Sequence, residues 1–551
     1  MFSTLPTHYS TCKTRNYTYT YGTAGFRDKA SVLDTVMFTT GIVACLRSMA
    51  HGGKYVGVMI TASHNPPADN GVKIIEPDGS MLLQSWESLA TDLANIAANK
   101  NAQALQQRIS EAIASLKIDT SVKPAVAVGM DSRESSPYLM ECLLVALEKV
   151  CGATVTNHNM LTTPQLHFLV AYENEHAGDP APGIAAYNAH FSDAWRQLLD
   201  LYGITDFSSS FKAVVVDSAN GIGAPQFEQF AQLLPQHSDF RFVNDNYTHP
   251  ESLNNDCGAD FVKTGQRLPH GISTELMQQA NNIYCSFDGD ADRIVFYYID
   301  DTPERKFHLL DGDKIATLFA KFLQKQLSDA KLGSSLKLGV VQTAYANGSS
   351  TAYVTKTLQC PASCTKTGVK HLHHEAQTAY DIGVYFEANG HGTILFSKKF
   401  NEEVEAKIAA SPLDSAEHKA CKTLKAFSTL INQTVGDAIA DLLAVLATLL
   451  ITGITPAQWD NEYADLPNLL AKVVVPDRSE FKTTDQERKL TSPAGLQAKM
   501  DVLIAKVDQG RAFVRASGTE DAVRIYCEGK NAADVKQLSS DIEQLILSEV
   551  N

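Results

Sequence analysis

Short apolar runs alternate with amphipathic stretches along most of this chain. Residues 55–60, Tyr-Val-Gly-Val-Met-Ile, are continuous, rich in β-branched side chains and strand-sized, which predicts a buried strand. Residues 126–129 followed by 137–150 predict a strand, a loop and a helix, with Leu139, Leu143, Leu147 and Val150 on one helical face. The pattern returns at 211–217 with 225–234, and at 338–341 with 347–358. Further strand-like runs fall at 283–287, 294–299, 381–385 and 393–396. Strands alternating with helices predict α/β architecture with mixed, largely parallel sheets, whose ligand loops gather at the carboxyl ends of strands. The C-terminal part differs. Strands expected at 471–475, 502–507, 512–515 and 523–528 and an amphipathic helix at 532–547 predict a smaller α+β domain, entered through a hinge at Thr452-Gly453-Ile454-Thr455-Pro456. The longest apolar stretch, 442–451, is too short for the ~20 residues of a membrane span and reads as the buried end of a helix.

Four loops between these runs carry candidate chemistry. Thr61-Ala62-Ser63-His64-Asn65-Pro66 follows the strand at 55–60 and leads into turn residues, so Ser63 sits on a fixed loop at a strand end. A serine there serves as a nucleophile, a phosphate carrier, or a turn residue bonded to its own backbone. Asp288-Gly289-Asp290-Ala291-Asp292-Arg293 joins two apolar runs, and in extended or turn backbone its alternate carboxylates Asp288, Asp290 and Asp292 share one side and converge on a hard cation. The spacing begins like a calcium loop, but Arg293 and Ile299 stand where that loop needs glycine and glutamate. Three carboxylates without a dedicated cage suit Mg²⁺, which keeps waters and takes other oxygens from phosphate. Phe386-Glu387-Ala388-Asn389-Gly390-His391-Gly392 puts a carboxylate, an amide and an imidazole in one glycine-hinged turn able to meet sugar hydroxyls. Near the C-terminus, Arg515-Ala516-Ser517-Gly518-Thr519-Glu520 reads as a phosphate cradle. Its donors are the hydroxyls of Ser517 and Thr519, the backbone around Gly518, and the guanidinium groups of Arg515 and Arg524.

Taken in order, these loops resemble the phosphoserine, metal, sugar and phosphate loops of the α-D-phosphohexomutase superfamily, and the resemblance runs nearly end to end. The phosphoacetylglucosamine mutase branch is resembled at Tyr21-Gly22-Thr23-Ala24-Gly25-Phe26-Arg27, at Cys257-Gly258-Ala259-Asp260-Phe261-Val262-Lys263 and at Thr367-Gly368-Val369-Lys370-His371. It is resembled again at Asn389, where glucose- and mannose-phosphate mutases usually carry serine. The resemblance implies three α/β domains (1–195, 196–302 and 303–452) and a smaller α+β domain (453–551) around a central cleft, each giving one loop. It implies an isomerase that interconverts N-acetylglucosamine 6-phosphate and 1-phosphate, on the route to UDP-N-acetylglucosamine. The implied path runs through a phosphoserine at Ser63 and a 1,6-bisphosphate intermediate. Mg²⁺ would be held by Asp288, Asp290, Asp292 and a phosphate oxygen on Ser63, and N-acetylglucosamine 1,6-bisphosphate or glucose 1,6-bisphosphate would act as catalytic activator. Lys73, ten residues after Ser63, resembles the family's candidate general base, a role for which its pKa has to fall. His64, Arg27 and Arg293 are expected to orient the phosphoryl group. Glu387, Asn389, Lys370 and His371 are expected to meet the sugar, and Arg515, Ser517, Gly518, Thr519 and Arg524 to grip the non-reacting phosphate. Three alternatives stand beside this: a preference for glucose or mannose phosphates, a phosphatase using Asp288 as nucleophile, and a non-catalytic phosphosugar sensor. The second needs Thr or Val in place of Asp292, and the third usually loses one of the motifs that this chain keeps.

Composition narrows the setting. A chain of 551 residues exceeds what one core supports, and 44% hydrophobic with 20% charged residues describes an ordinary globular protein. The net charge of −15 argues against nucleic acid as a partner, so a phosphorylated small molecule has to be drawn by local cations such as those around Arg515. The loop after Val216, Asp217-Ser-Ala-Asn-Gly-Ile-Gly, lacks the dinucleotide fingerprint. Ten cysteines form no C-x-x-C pair, and Cys360, Cys364, His371, His373 and His374 match no common zinc spacing. Residues 1–21 have no apolar core and are not a secretory signal. The expectation is a soluble, cytoplasmic enzyme with reduced thiols and a phosphosugar substrate, without nucleic acid or membrane; the sequence sets no oligomeric state.

Overall fold

The computed structural model describes residues 2–11, 13, 15–22, 25–176, 183–234, 239–517 and 521–550. The chain divides into two compact units, one made of 1–311 and 426–456, the other of 312–425 and 457–551.

The first unit holds two five-stranded sheets. β1 (Phe26–Lys29), β2 (Tyr55–Ile60), β3 (Asp69–Ile75), β4 (Ala125–Met130) and β5 (Thr154–Met160) lie in the order β1-β3-β2-β4-β5. β2, β4 and β5 run parallel, and β3 is antiparallel to both β1 and β2. One face packs on the buried helix Asp34–Ala50. On the other, Met59, Ile75 and Ala127 meet Leu166, Leu169 and Val170 of the helix Thr163–Glu175. Cover on both faces is why β2 reads as an unbroken apolar run. The second sheet has β6 (Val214–Asp217), β7 (Phe240–Val243), β8 (Ile283–Phe287), β9 (Ile294–Ile299) and β10 (Phe307–Leu310) in the order β10-β9-β8-β6-β7. Here β6, β7 and β8 are parallel, and β9 is antiparallel to β8 and β10.

The second unit contains β11 (Leu338–Thr343), β12 (Ala362–Thr365), β13 (Ile382–Phe386) and β14 (Gly392–Phe396) in the order β12-β11-β13-β14, with only β14 antiparallel to its neighbour. C-terminal to it come β15 (Asn468–Val474), β16 (Lys482–Thr484), β17 (Lys489–Ser492), β18 (Arg511–Ala516) and β19 (Ala522–Glu528). β15, β19 and β18 form an antiparallel sheet, and β16 with β17 forms a separate hairpin. The helix Ala532–Val550 packs on that sheet through Val535, Leu538, Ile542 and Ile546.

One device recurs. β2–β3, β8–β9, β13–β14 and β18–β19 are each consecutive, antiparallel and hydrogen-bonded, and their connections are the four candidate loops. Each loop is therefore held at both ends by one hairpin. The expected strand at 502–507 is replaced by the helix Leu496–Ile504. Leu496 and Met500 are fully buried with Leu503 packed beside them, a helical spacing, while Val502 is 62% exposed.

The apolar stretch read as a buried helix end is most of the helix Ala438–Thr452, whose residues are buried from Ala438 to Leu450. Asp437 caps it by accepting from the backbone N–H groups of Ile439 and Ala440, while Tyr187 Oη and Asn432 Nδ2 donate to its other oxygen. Gly453, in the left-handed region, ends it. One turn in from the cap lies Asp441, buried, with neither carboxylate oxygen in a hydrogen bond. Burial, followed by the charge of Asp437, pushes the Asp441 pKa well above the usual carboxylate range. A carboxyl raised in this way favours the folded state while protonated, and that stability is lost as pH climbs from the unfolded pKa toward the folded one. Asp441→Asn, which cannot ionise, is expected to raise the thermal unfolding midpoint at pH 8, by an amount equivalent to about 1–3 kcal/mol. The gain should shrink as pH is lowered toward 5 in parallel calorimetric scans. A gain independent of pH, or a loss, would contradict this account.

Candidate active site

Ser63 lies three residues beyond β2, 1% exposed, with φ of +50°. That left-handed backbone is unfavourable for a serine and persists only where its surroundings over-determine it. The surroundings are on hand. Ser63 N–H donates to Thr61 Oγ1 at 3.0 Å. Its carbonyl accepts from Arg133 Nη2 and from Asn254 Nδ2, both at 2.9 Å. Arg133 is itself buried and directs its other donors at the carbonyls of Asn65, Pro66 and Asp69 and at the Asp131 carboxylate. A single planar fork thus holds both limbs of the serine loop. Gly289, on the aspartate loop, comes so near that a Cβ there would lie 2.6 Å from the Ser63 carbonyl oxygen. Only glycine lets the two loops approach this closely.

With its backbone fixed, Ser63 Oγ donates to Asp290 Oδ2 at 2.9 Å and accepts from Lys73 Nζ at 3.2 Å. Arg27 reaches it with Nη2 at 3.4 Å while Nη1 holds Asn65 Oδ1 at 3.0 Å. Asp290 Oδ2 also accepts from Thr163 Oγ1 at 2.6 Å, a contact from the start of the helix Thr163–Glu175 that the sequence pattern did not disclose.

Asp288, Asp290 and Asp292 are all buried and each brings one oxygen within 4.8 Å of the others. Among the described residues this is the one group of such side chains with metal-ligating geometry; Cys360 and Cys364 form none with the histidines of the helix Val369–Ala379. Burial, followed by Asp292 and Asp290, pushes the Asp288 pKa well above its usual range. Asp288 Oδ2 and Asp290 Oδ1, both buried, accept no hydrogen bond. Three close carboxylates with acceptor atoms to spare are the donor set of a hard divalent cation, so these residues fit Mg²⁺. Lys73 Nζ supplies part of the missing positive charge, 3.2 Å from Asp290 and 3.0 Å from Asp292. Burial pulls the Lys73 pKa down, Asp290 and Asp292 push it up, and the balance is upward. Bare carboxylates act upward on Lys73, whereas burial and a cation held by those carboxylates act downward, the direction a base needs. Arg293 is placed more loosely, 3.7–3.9 Å from Asp260, Asp292 and Asp288. Arg293, burial and Arg27 together push the His64 pKa down to about 2, so its imidazole is neutral.

The second unit holds the remaining candidates. Glu387 Oε1 accepts from the backbone N–H of Gly368 at 3.3 Å, and Asn389 Nδ2 donates to Glu387 Oε2 at 3.4 Å. Lys370 and His371 follow Gly368 in the first turn of the helix Val369–Ala379. Arg515 Nε donates to Tyr345 Oη at 3.0 Å, and Arg515 Nη1 lies 3.7 Å from Glu487. Burial lowers the Arg515 pKa, Tyr345 and then Glu487 and Glu387 raise it, and the net direction is up, so Arg515 lies within electrostatic reach of Glu387. In register, Arg515 faces Arg524 across β18–β19, and Arg524 faces Lys472 across β15–β19. The three share the sheet face opposite the buried Val514, Val523 and Ile525. Like charges directly opposite repel, so such a row suits an anion laid across it. Ser517 is buried at the end of β18 and donates its N–H to Ala522 O at 2.8 Å; Gly518 and Thr519 lie outside the described residues.

Arg133, Asn254, Thr163, Tyr345, Lys472 and Glu487 escaped the sequence reading. Arg133 had a signal in the polar Asp131-Ser132-Arg133 directly after an apolar strand. Lys472 needed the strand register, and Glu487, on the turn of the short β16–β17 hairpin, had none.

Comparison with known proteins agrees with this layout. The family description "Phosphoacetylglucosamine mutase AMG1, domain III" matches residues 311–454, and its domain II counterpart matches 178–295. "Phosphoglucomutase/phosphomannomutase, alpha/beta/alpha domain I" matches 23–100 and the C-terminal domain of the same name matches 470–545. A phosphoacetylglucosamine mutase of Saccharomyces cerevisiae is 55% identical over 544 residues, covering 97% of this chain and 96% of its own. A crystal structure of N-acetylglucosamine-phosphate mutase in its product complex superposes with a TM-score of 0.92 at 47% identity, covering 98% of this chain and 99% of that one. The Aspergillus fumigatus N-acetylphosphoglucosamine mutase, solved with GlcNAc-6P and magnesium, superposes at 0.90 with 40% identity over 99% of this chain and 98% of that one, and a variant of it has been solved with glucose 1,6-bisphosphate. Matched along nearly its whole length by relatives of one name, the chain belongs to the phosphoacetylglucosamine mutase family of the α-D-phosphohexomutase superfamily.

Proposed function

We propose that this phosphohexomutase interconverts N-acetylglucosamine 6-phosphate and N-acetylglucosamine 1-phosphate through a phosphoserine at Ser63 and a 1,6-bisphosphate intermediate. The observation that carries the reading is Ser63 itself. It is a buried serine in left-handed backbone, hydrogen-bonded to Asp290 and Lys73 beside a carboxylate cluster that fits Mg²⁺. The Aspergillus fumigatus relative, solved with GlcNAc-6P and magnesium, supports the substrate and the ion. Asp288, Asp290 and Asp292 would hold Mg²⁺, which when bound neutralises phosphoryl charge during an in-line transfer.

The other steps fall to side chains of this chain. In the forward half-reaction a sugar hydroxyl attacks the phosphorus carried on Ser63 and the Oγ–P bond breaks; Lys73, 3.2 Å from Oγ, takes the proton the hydroxyl gives up and returns one to the leaving serine oxygen. In the return half-reaction Ser63 attacks the other phosphate of the bisphosphate, and Lys73 carries the serine proton to the departing sugar oxygen. The same residue thereby acts as base and as acid in each direction. Arg27, Arg293 and neutral His64 orient the phosphoryl oxygens. Arg515, Arg524, Ser517, Gly518 and Thr519 grip the phosphate that is not reacting, while Glu387, Asn389, Lys370 and His371 meet the sugar. Asn389 and the relatives' names favour the N-acetylated substrate over glucose 6-phosphate. The product lies on the route to UDP-N-acetylglucosamine. A cytoplasmic setting accords with the free thiols of the described cysteines, and no described helix is long and apolar enough to cross a membrane.

³¹P NMR of the purified protein with Mg²⁺ and a trace of glucose 1,6-bisphosphate tests the reading, with N-acetylglucosamine 6-phosphate and glucose 6-phosphate in parallel tubes. The first substrate is expected to convert much faster; preference for the second would overturn the substrate assignment. Ser63→Ala should reduce turnover to background, and near-normal activity in that variant would defeat the phosphoserine path. Asp290→Asn is expected to weaken Mg²⁺ or Mn²⁺ binding at least about tenfold by calorimetry, whereas unchanged affinity would move the ion elsewhere.

A further inference from the structure

Building on that reading, in which Arg515 takes the phosphate and Glu387 the sugar, a link between the two appears within the second unit. The link is Glu487. It sits on the turn that joins β16 to β17, where Asp485, Gln486 and Glu487 have φ of 51°, 55° and 69°. Three successive residues other than glycine in the left-handed region need support, and Arg488 gives it by donating to the Asp485 carboxylate at 2.6 Å and to the Asp485 carbonyl at 3.1 Å. The strained turn directs one side chain inward. Gln486 and Arg488 are exposed, whereas the Glu487 side chain is 17% exposed. Its Oε2 accepts from both the backbone N–H of Thr367, at 2.9 Å, and Thr367 Oγ1, while Oε1 faces Arg515 Nη1 at 3.7 Å. The residue after Thr367 is Gly368, whose N–H is bonded to Glu387.

We propose that Glu487 is a positioning residue that couples phosphate capture to the sugar loop. The path runs from Arg515 through the Glu487 carboxylate to Thr367 and Gly368, and from there to Glu387. Because Oε2 is committed to two Thr367 donors, the carboxylate stays with that segment. Arg515 is the partner whose 3.7 Å separation, outside hydrogen-bond range, lets it turn toward an incoming phosphate. A phosphate on Arg515 then reaches the segment carrying Lys370 and His371 through Glu487. An isolated inorganic phosphate engages the cradle around Arg515 and draws nothing from the link.

This separates the coupling from a merely structural role. Glu487→Ala is expected to raise KM for N-acetylglucosamine 6-phosphate about fivefold or more with a smaller change in kcat, and Thr367→Val, which leaves the hairpin and the backbone N–H contact in place, to raise it by less. The double variant should be little worse than Glu487→Ala alone, because the Thr367 hydroxyl acts through the same carboxylate. Inhibition by inorganic phosphate should not weaken in either variant, since the charge removed at 487 is negative. Arg515→Ala, run in parallel, should weaken both phosphosugar and inorganic phosphate. Unchanged KM in Glu487→Ala and Thr367→Val, with or without a lower unfolding midpoint, would overturn the proposal while leaving the cradle reading intact. A lowered KM would overturn it in favour of a carboxylate that merely competes with phosphate. If Arg515→Ala weakened neither ligand, the cradle reading itself would fall.

Discussion

A cluster of buried carboxylates beside one serine is the constraint around which the first unit is arranged. At an effective dielectric of ~20, two like charges 4–5 Å apart repel by about 3–4 kcal/mol, and three buried aspartates contain more than one such pair. The fold offsets this with positive charge or with donors. Lys73 reaches Asp290 and Asp292, Thr163 and Ser63 donate to Asp290, and the backbone N–H groups of Asp292 and Arg293 donate to Asp288. What these contacts leave over, including Asp288 Oδ2 and Asp290 Oδ1, fits a cation. Ser63 is bonded into the same cluster, so the charge balance that leaves room for an ion also fixes the Ser63 hydroxyl.

Hairpins explain how such loops are held. A connection between a parallel strand and a helix is fixed firmly at one end only, whereas the 288–293 connection is tied on both sides by the register of β8 with β9. The serine loop is longer and needs more, which Arg133 provides by spanning it from Ser63 to Asp69. Removing Arg133 would leave four carbonyls and the buried Asp131 carboxylate short of a donor, and losing a buried charge partner of this kind is strongly destabilising. The same hairpin placement appears in the three sheets that also have a parallel half, which marks them as variations on one architecture although their sequences show no visible repeat.

The strands that place the loops were legible because they are buried on both faces: 55–60, 283–287 and 294–299 are apolar without interruption and match β2, β8 and β9 almost residue for residue. Ser63 and the three aspartates stood out because strand ends put chemistry-bearing residues next to apolar runs. Pairing direction was not legible. A run of Val, Ile and Tyr reads alike whether its neighbour is parallel or antiparallel, so the hairpins emerged only with the coordinates. The segment at 502–507 misled for a related reason: Val502, Leu503, Ile504 and Val507 have strand composition, and the helical spacing shows only when Leu496 and Met500 are included. Groups that act over long sequence separations were out of reach. Asn254 reaches Ser63 from 191 positions away and Glu487 reaches Thr367 from 120, and neither has a local pattern to betray it.

The two units hold their charges in different ways, and the difference fits what each is asked to do. Around Ser63 the polar groups are buried and linked by several hydrogen bonds each, so changing a partner there means exposing or orphaning a charge, at several kcal/mol. That rigidity suits the role proposed for Ser63 Oγ, since a reacting atom has to be placed alike in every turnover. Arg515, by contrast, is 21% exposed and paired at 3.7 Å, and Arg524 and Lys472 stand beside it in a row of like charge. Ion pairs of this partly exposed kind are worth about 0–1 kcal/mol, so their partners change at little cost. On the proposed path a recognition surface would release one phosphate and accept another, on a sugar presented from either end, and an arginine paired as weakly as Arg515 suits that exchange. A phosphate laid across the row would offset the like charge of its register partners whichever end of the sugar carries it.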